Sequence, residues 1–276
     1  MTPILKYIKP YRYVIIFIII FLLALYFFRY MRAFEHFDNK DSVIPKQVFL
    51  TWETKDLPPK MAKSVEKLKS DNPELQYYLY DNQDRRNFIE KNFDKDILKA
   101  YDALIPGAYR ADLWRYCVLY KFGGIYLDIK YHTVNGFKLV SMTDKEYFIR
   151  DIEPSGSGIY NAFIITKPGN QKLMNCINDL VKNVKNKYYG NSALEPTGPM
   201  LLIKQFDQNE LSKFDNIELS TDKCPTQLCI NKDGKTILAF YDGYPDEKQQ
   251  YFSQNNTKNY TDLWGERKIY NDSVAF

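Results

Sequence analysis

The sequence predicts a single α/β domain carried behind an apolar N-terminal segment, and three observations predict it. Strand-like and helix-like stretches alternate from Ile44 to Ile129, with irregular strands later, the pattern of an α/β fold with an appended C-terminal part. Residues 110–128 read as a helix, a Gly123-Gly124 stop and a short apolar strand ending in the carboxylate of Asp128. Folds of this class place ligand chemistry at the carboxyl ends of their strands. Residues 13–28 form a run of sixteen uncharged residues bracketed by Arg12 and Arg29.

Taken in order, the apolar run comes first. Sixteen helical residues span roughly 24 Å, short of a bilayer core of about 30 Å. Tyr11, Tyr13, Tyr26 and Tyr30 suit the headgroup belt, and Arg12 and Arg29 can snorkel. Arg29-Tyr30-Met31-Arg32 follows with no small-residue cleavage pattern, so an uncleaved anchor is expected rather than a signal peptide. Residues 1–12 read as a short cytoplasmic tail, 13–30 as a transmembrane signal anchor, 31–43 as a stalk and 44–276 as the folded domain. The positive-inside bias favours a cytoplasmic N-terminus weakly, giving a single-pass type II topology.

Within the domain, 44–50 reads as a first strand opened by Pro45, with Trp52 at its carboxyl end. A helix over 58–70 starts at Pro58-Pro59 and breaks at Asn72-Pro73. A strand at 76–80 ends at Asp81, a capping residue for a helix at 83–92. Helices at 94–104 and 108–122 follow, then the strand at 125–129. Later strands are expected at 146–150, 160–166, 216–219 and 236–241, and helices at 170–186 and 197–206.

Charge and cysteine usage exclude other classes. The chain carries 38 Lys and Arg against 34 Asp and Glu, a formal +4. Five of the basic residues and none of the acids lie in residues 1–32, leaving 33 against 34, or −1, for the rest. Nucleic-acid binding, which needs a basic face to neutralise phosphates, therefore loses its main support, and no nucleic-acid partner is expected. Four cysteines are too few for a disulfide scaffold. Cys224 and Cys229 flank a Pro-containing loop and can pair in a lumenal compartment, while Cys117 and Cys176 read as buried small hydrophobes. His36 and His132 do not build a zinc site with these cysteines.

On the helix at 108–122, Asp112 and Arg115 are three apart and share a face. Alone, such a pair is an ordinary surface salt bridge worth about 0–1 kcal/mol. Here the helix feeds the double glycine and Asp128, which sets the pair beside a strand-end carboxylate.

The block Arg-Ala-Asp-Leu-x-Arg-Tyr-x-x-Leu-Tyr-x-x-Gly-Gly-Ile-Tyr-Leu-Asp, residues 110–128, resembles the DXD-containing sugar-binding region of glycosyltransferase family 32. Further matches occur in order: Ile44-Pro45-Lys46 through Thr51-Trp52, then Asn161-Ala162-Phe163-Ile164, Lys167-Pro168-Gly169-Asn170 and Thr197-Gly198-Pro199. The similarity spans 44–200 and is most specific in its centre. It implies a GT-A fold, a single Rossmann-like domain, and retaining transfer of a hexose from a nucleoside diphosphate sugar to a glycan or glycolipid acceptor. Mannose leads, in the manner of an α-1,6-mannosyltransferase, followed by galactose and glucose. The family's secretory-pathway setting implies a Golgi or ER membrane protein with a lumenal catalytic domain.

By position, the resemblance implies that Trp52 lies against the nucleotide base. Asp112 and Arg115 would hold the donor sugar and its diphosphate side. Asp128 would be the first acid of the DXD motif and the metal ligand, for Mn²⁺ or Mg²⁺, with Tyr126 and Lys130 completing the nucleotide-sugar site. One departure matters: the motif here is Asp128-Ile129-Lys130, with lysine where the second acid belongs. Three alternatives follow. Asp128 holds the metal with other groups, Lys130 supplies the positive charge itself, or a non-catalytic carbohydrate- or nucleotide-sugar-binding protein remains. Residues 251–264 occupy the place of the family's closing His/Trp segment but lack histidine.

Overall fold

The computed structural model describes residues 13, 16, 17, 19–26, 42–151, 158–222, 224 and 226–276. The expected tail, the end of the anchor and most of the stalk, with His36, lie outside the described residues. Residues 19–26 are helical with every side chain exposed. Among the described residues no helix is long and apolar enough to cross a membrane. The rest, Val43–Phe276, is one compact unit.

Its first sheet explains the apolar runs. Strand β1 (Gln47–Thr51) is followed by helix α1 (Pro59–Asp71) and strand β2 (Gln76–Tyr80). Helices α2 (Asn82–Asn92), α3 (Lys95–Ala103) and α4 (Gly107–Phe122) then lead to β3 (Gly124–Leu127). The sheet order is β2-β1-β3-β5, where β5 is Phe163–Thr166. β1 runs parallel to both β2 and β3, with Val48 opposite Ile125 and Phe49 opposite Tyr126; β5 is antiparallel to β3. Alternate residues face two cores. Val48, Leu50, Ile125 and Leu127 pack on α1 and the second sheet, while Phe49, Tyr126 and Ile164 pack on the helical layer. A strand buried on both faces reads as continuous apolar sequence.

The helices start and stop where their sequence directs. Asp81 caps α2, accepting from Asp84 N at 2.8 Å while the Asp84 carboxylate accepts from Asp81 N. Asp94 caps α3, and Asn170 caps α5 (Gln171–Lys185). Helix α1 opens with Pro59 in its first turn and turns Met61, Ser64, Val65 and Leu68 inward. Helix α4 is buried on nearly every side from Tyr109 to Leu119. It ends at Gly123, whose φ of 63° and ψ of −166° lie in a region glycine alone occupies readily.

The second sheet is antiparallel, in the order β4-β8-β7-β6. Its strands are β4 (Tyr131–Thr133), β6 (Ile217–Ser220), β7 (Cys229–Lys232) and β8 (Lys235–Phe240). Here the structure departs from expectation. The strand expected over 125–129 ends at Leu127, because Asp128, Ile129 and Lys130 form a turn closed by Tyr131 N donating to Asp128 O at 3.0 Å. That turn carries the chain from the first sheet to the second. The strand expected at 146–150 is reduced to single bridges, Tyr147 with Ile165 and Arg150 with Ile159. The helix expected at 197–206 is a four-residue α6 (Pro199–Leu202) and a 3₁₀ turn, since Gly198 and Pro199 hold back its start. A short α7 (Gln208–Leu211), α8 (Tyr244–Gln254) and α9 (Tyr260–Gly265) complete the chain and were not expected. Cys224 and Cys229 form a disulfide with Cα atoms 5.7 Å apart, and Cys117 and Cys176 are buried free thiols.

Candidate active site

The sheet order puts a switch point at β1, with its two parallel neighbours on opposite sides. Crevices at the carboxyl ends of strands around such a point are where α/β folds bind ligands. Trp52 follows β1 and Asp128 follows β3, so both stand at that edge.

Helix α4 brings Asp112 and Arg115 to Asp128. Arg115 Nη2 lies 3.1 Å from Asp112 Oδ1, and Nη1 lies 3.5 Å from Asp128 Oδ1. The same guanidinium donates to Asn161 O at 2.6 Å and lies 4.4 Å from the Tyr126 ring centre. Asp112 and Arg115 are 7% and 5% exposed, which removes the surface salt-bridge interpretation. Asp112 is held on both oxygens, by Asn161 Nδ2 at 2.9 Å and by Thr197 Oγ1 at 2.6 Å. Tyr116, one turn along α4, donates to Thr197 O at 3.0 Å and so ties the segment before α6 to the cluster.

Asp128 is the more open carboxylate. Tyr126 donates its hydroxyl to Oδ1 at 2.6 Å, and Lys130 Nζ stands 2.7 Å from Oδ2. Burial pushes the Asp128 carboxyl up, but Lys130 and Arg115 outweigh it and hold it below the ordinary carboxylate range. Burial dominates at Asp112, whose carboxyl is raised despite Arg115 and the Thr197 hydrogen bond. Two carboxylates pushed apart in this way around one guanidinium mark a functional-site candidate.

Trp52 is 8% exposed. Its ring meets Tyr251 of α8 edge-on at 5.3 Å, and its buried indole N–H has no hydrogen-bond partner among the described residues. The loop that carries it is braced by buried Arg85, which donates to Thr51 Oγ1 at 2.9 Å and pairs with Glu53 at 3.2 Å.

A divalent cation does not fit this donor set. Such ions take several oxygen ligands. Asp128 already meets a hydroxyl, a guanidinium and an ammonium, and position 130 brings a positive charge. Among the described residues no cluster of three or more His, Cys, Asp or Glu is placed to hold a metal. His132 lies in β4, half-buried, with burial lowering its pKa and Lys67 adding to the effect.

All six sequence-predicted site residues thus fall at one edge of the fold, with Asp112, Arg115, Tyr126, Asp128 and Lys130 in direct contact. Sequence reasoning found Asn161 and Thr197 as parts of later segments but gave them no role. Their proximity to Asp112 is set by β5 and the bend before α6. Lys248 and Tyr244 of α8 also act electrostatically on Asp128 and Lys130; no local motif marks them.

Residues 58–148 match the family described as glycosyltransferase sugar-binding region containing DXD motif. The match contains the 110–128 block and bears out the resemblance read from it. The chain is 28% identical over 169 residues to inositol phosphoceramide mannosyltransferase 3 of Schizosaccharomyces pombe, covering 61% of this chain and 46% of that one. It is 25% identical over 169 residues to a mannosyl phosphorylinositol ceramide synthase of Saccharomyces cerevisiae, covering 60% and 43%. The chain thus spans less than half the length of these curated relatives. Among solved structures, PaToxG Glycosyltransferase aligns at a TM-score of 0.47 and 18% identity, covering 65% of this chain and 78% of that one.

Proposed function

We propose that this chain is a membrane-anchored glycosyltransferase that moves a hexose, mannose first, from a nucleoside diphosphate sugar to a glycolipid or glycan. The observation that carries the proposal is the buried Asp112–Arg115–Asp128 cluster at the carboxyl ends of β1 and β3, within the matched sugar-binding region. The relatives' names, inositol phosphoceramide mannosyltransferase and mannosyl phosphorylinositol ceramide synthase, favour mannose and a phosphoinositol sphingolipid acceptor.

In this proposal the fold is GT-A and the transfer is retaining. The bond from the anomeric carbon to the diphosphate breaks, and a bond to the acceptor hydroxyl oxygen forms on the same face. The diphosphate leaves with the bonding pair, and the hydroxyl proton passes to it. Arg115 faces the developing charge, which preorganised cations stabilise best where water is excluded. Asp128 orients the donor, Asp112 fixes Arg115, and the unpaired Trp52 indole N–H meets an acceptor on the base. The 13–30 segment anchors the chain in a secretory membrane with the domain lumenal. The Cys224–Cys229 disulfide supports that placement, since such bonds persist in oxidising compartments. Lys130 in place of a second acid favours one other reading, a tethered non-catalytic nucleotide-sugar-binding protein.

Incubating the full chain with labelled GDP-mannose and inositol phosphoceramide tests the acceptor class. Label is expected in the lipid with the native chain and not with Asp128→Ala. Binding of the nucleotide without transfer to any lipid or glycan would favour the second reading.

A further inference from the structure

Lys130 occupies the position at which a second acid would complete a metal-binding motif, and its surroundings are those of a fixed cation. Its Nζ stands on Asp128 Oδ2 at 2.7 Å, with the side chain 17% exposed. The ring centres of Tyr131, Tyr160 and Phe240 lie 5.7, 5.8 and 5.2 Å from it, and aromatic rings at such distances favour positive charge over their faces. The backbone at this turn is tied down as well, since Tyr241 N donates to Lys130 O at 2.9 Å. The ammonium is therefore held in place by packing and by its counter-charge.

A second lysine, Lys248, acts on it electrostatically. Lys248 projects from α8, half-buried, and no ion pair holds it among the described residues. Burial lowers its pKa, and repulsion by Lys130 lowers it further. Lys248 and Tyr244 also line a groove of about 500 Å³ between α8 and α9. Around Asp128 the contacts set two cations, Arg115 and Lys130, beside the carboxylates of Asp112 and Asp128, and Lys248 acts electrostatically on Lys130 and Asp128. An anion placed beside Asp128 meets the two cations that flank it, Arg115 and Lys130, whereas a divalent cation there meets their repulsion.

We infer that Lys130, steadied by Asp128 and joined by Lys248, replaces the divalent cation as the counter-charge for the donor diphosphate, so that this chain binds its nucleoside diphosphate without metal. The inference rests on the donor site proposed above.

Calorimetric titration of the full chain with GDP and with UDP, once in EDTA and once in Mn²⁺, tests it. The native chain is expected to bind one of the two in EDTA, with Mn²⁺ changing the affinity less than about threefold. Lys130→Asp recreates the two-acid motif and is expected to lose binding about tenfold or more in EDTA, as for a charged hydrogen bond. Mn²⁺ should restore it. Lys248→Gln, at a half-buried helix position without an ion pair among the described residues, should weaken binding several-fold in EDTA while keeping the native melting temperature. Binding by the native chain only with Mn²⁺ overturns the inference and leaves the donor site standing. So do native EDTA affinities in both folded variants. No binding of either nucleotide under any condition overturns the donor site itself.

Discussion

At the residue scale, Arg115 is the side chain on which the cluster depends, because both carboxylates share it. Removing one partner of a buried ion pair leaves uncompensated charge and costs about 3–5 kcal/mol. Arg115→Met is expected to lose that much in urea unfolding at neutral pH. The loss should ease in acid, because Asp112 has a raised pKa and, once protonated, no longer needs the guanidinium. Asp128 carries the opposite sign. Its folded pKa is depressed, so its stabilisation is present above the ordinary carboxylate pKa and vanishes as pH falls through the lower folded value. The stability gap between the native chain and Asp128→Asn should therefore be flat from pH 8 to about 5 and close below about 4. A gap that grows as pH falls would show that Asp128 is not held ionised by Lys130 and Arg115.

At the element scale, the junction of α4 and β3 sets where Asp128 is delivered. A Cβ on Gly123 would stand 2.6 Å from the Pro168 ring, and the residue already has φ of +63°. Gly123→Ala is expected to cost about 1–3 kcal/mol or more, read as a drop in the urea midpoint. The β6–β7 connection is closed by the Cys224–Cys229 disulfide. Unfolded without reductant, the chain should release two thiols to Ellman's reagent, Cys117 and Cys176, and after reduction all four. Closing so short a loop contributes about 2 kcal/mol, which reduction should remove.

At the scale of the whole molecule, the first sheet and its helices were legible because each signal was local. Pro59, Asp81 and Asp94 begin helices, Gly123 ends one, and strands buried on both faces are apolar without interruption. The second sheet was read only in part, since β4 is three residues long and pairs with β8 more than a hundred positions away. Two sequence-local tendencies also misled: the apolar stretch after Leu127 turns instead of continuing, and 197–206 is cut short by Gly198-Pro199. The candidate site follows the same rule. Asp112, Arg115, Tyr126, Asp128 and Lys130 lie close together in the sequence, between 112 and 130, and the structure brings them into contact. Asn161, Thr197 and Lys248 reach it from β5, the bend before α6 and α8, and only the fold brings them there. The N-terminal segment belongs to this scale as well. In carbonate extraction the full chain should stay with membranes, and Ile19→Lys with Leu23→Lys should release it, each lysine costing about 2.5–3.5 kcal/mol at mid-membrane.

The proposed function requires that this cluster turn over a nucleoside diphosphate sugar. Slow hydrolysis of the donor is expected of such a transferase even without acceptor, so the decisive measurement is release of nucleoside diphosphate from GDP-mannose, UDP-galactose and UDP-glucose by the full chain. One donor should be hydrolysed, GDP-mannose first, at a rate at least about a hundredfold above that of Asp128→Ala. Equal rates for the native chain and Asp128→Ala, or no donor either hydrolysed or bound by folded protein, would contradict it.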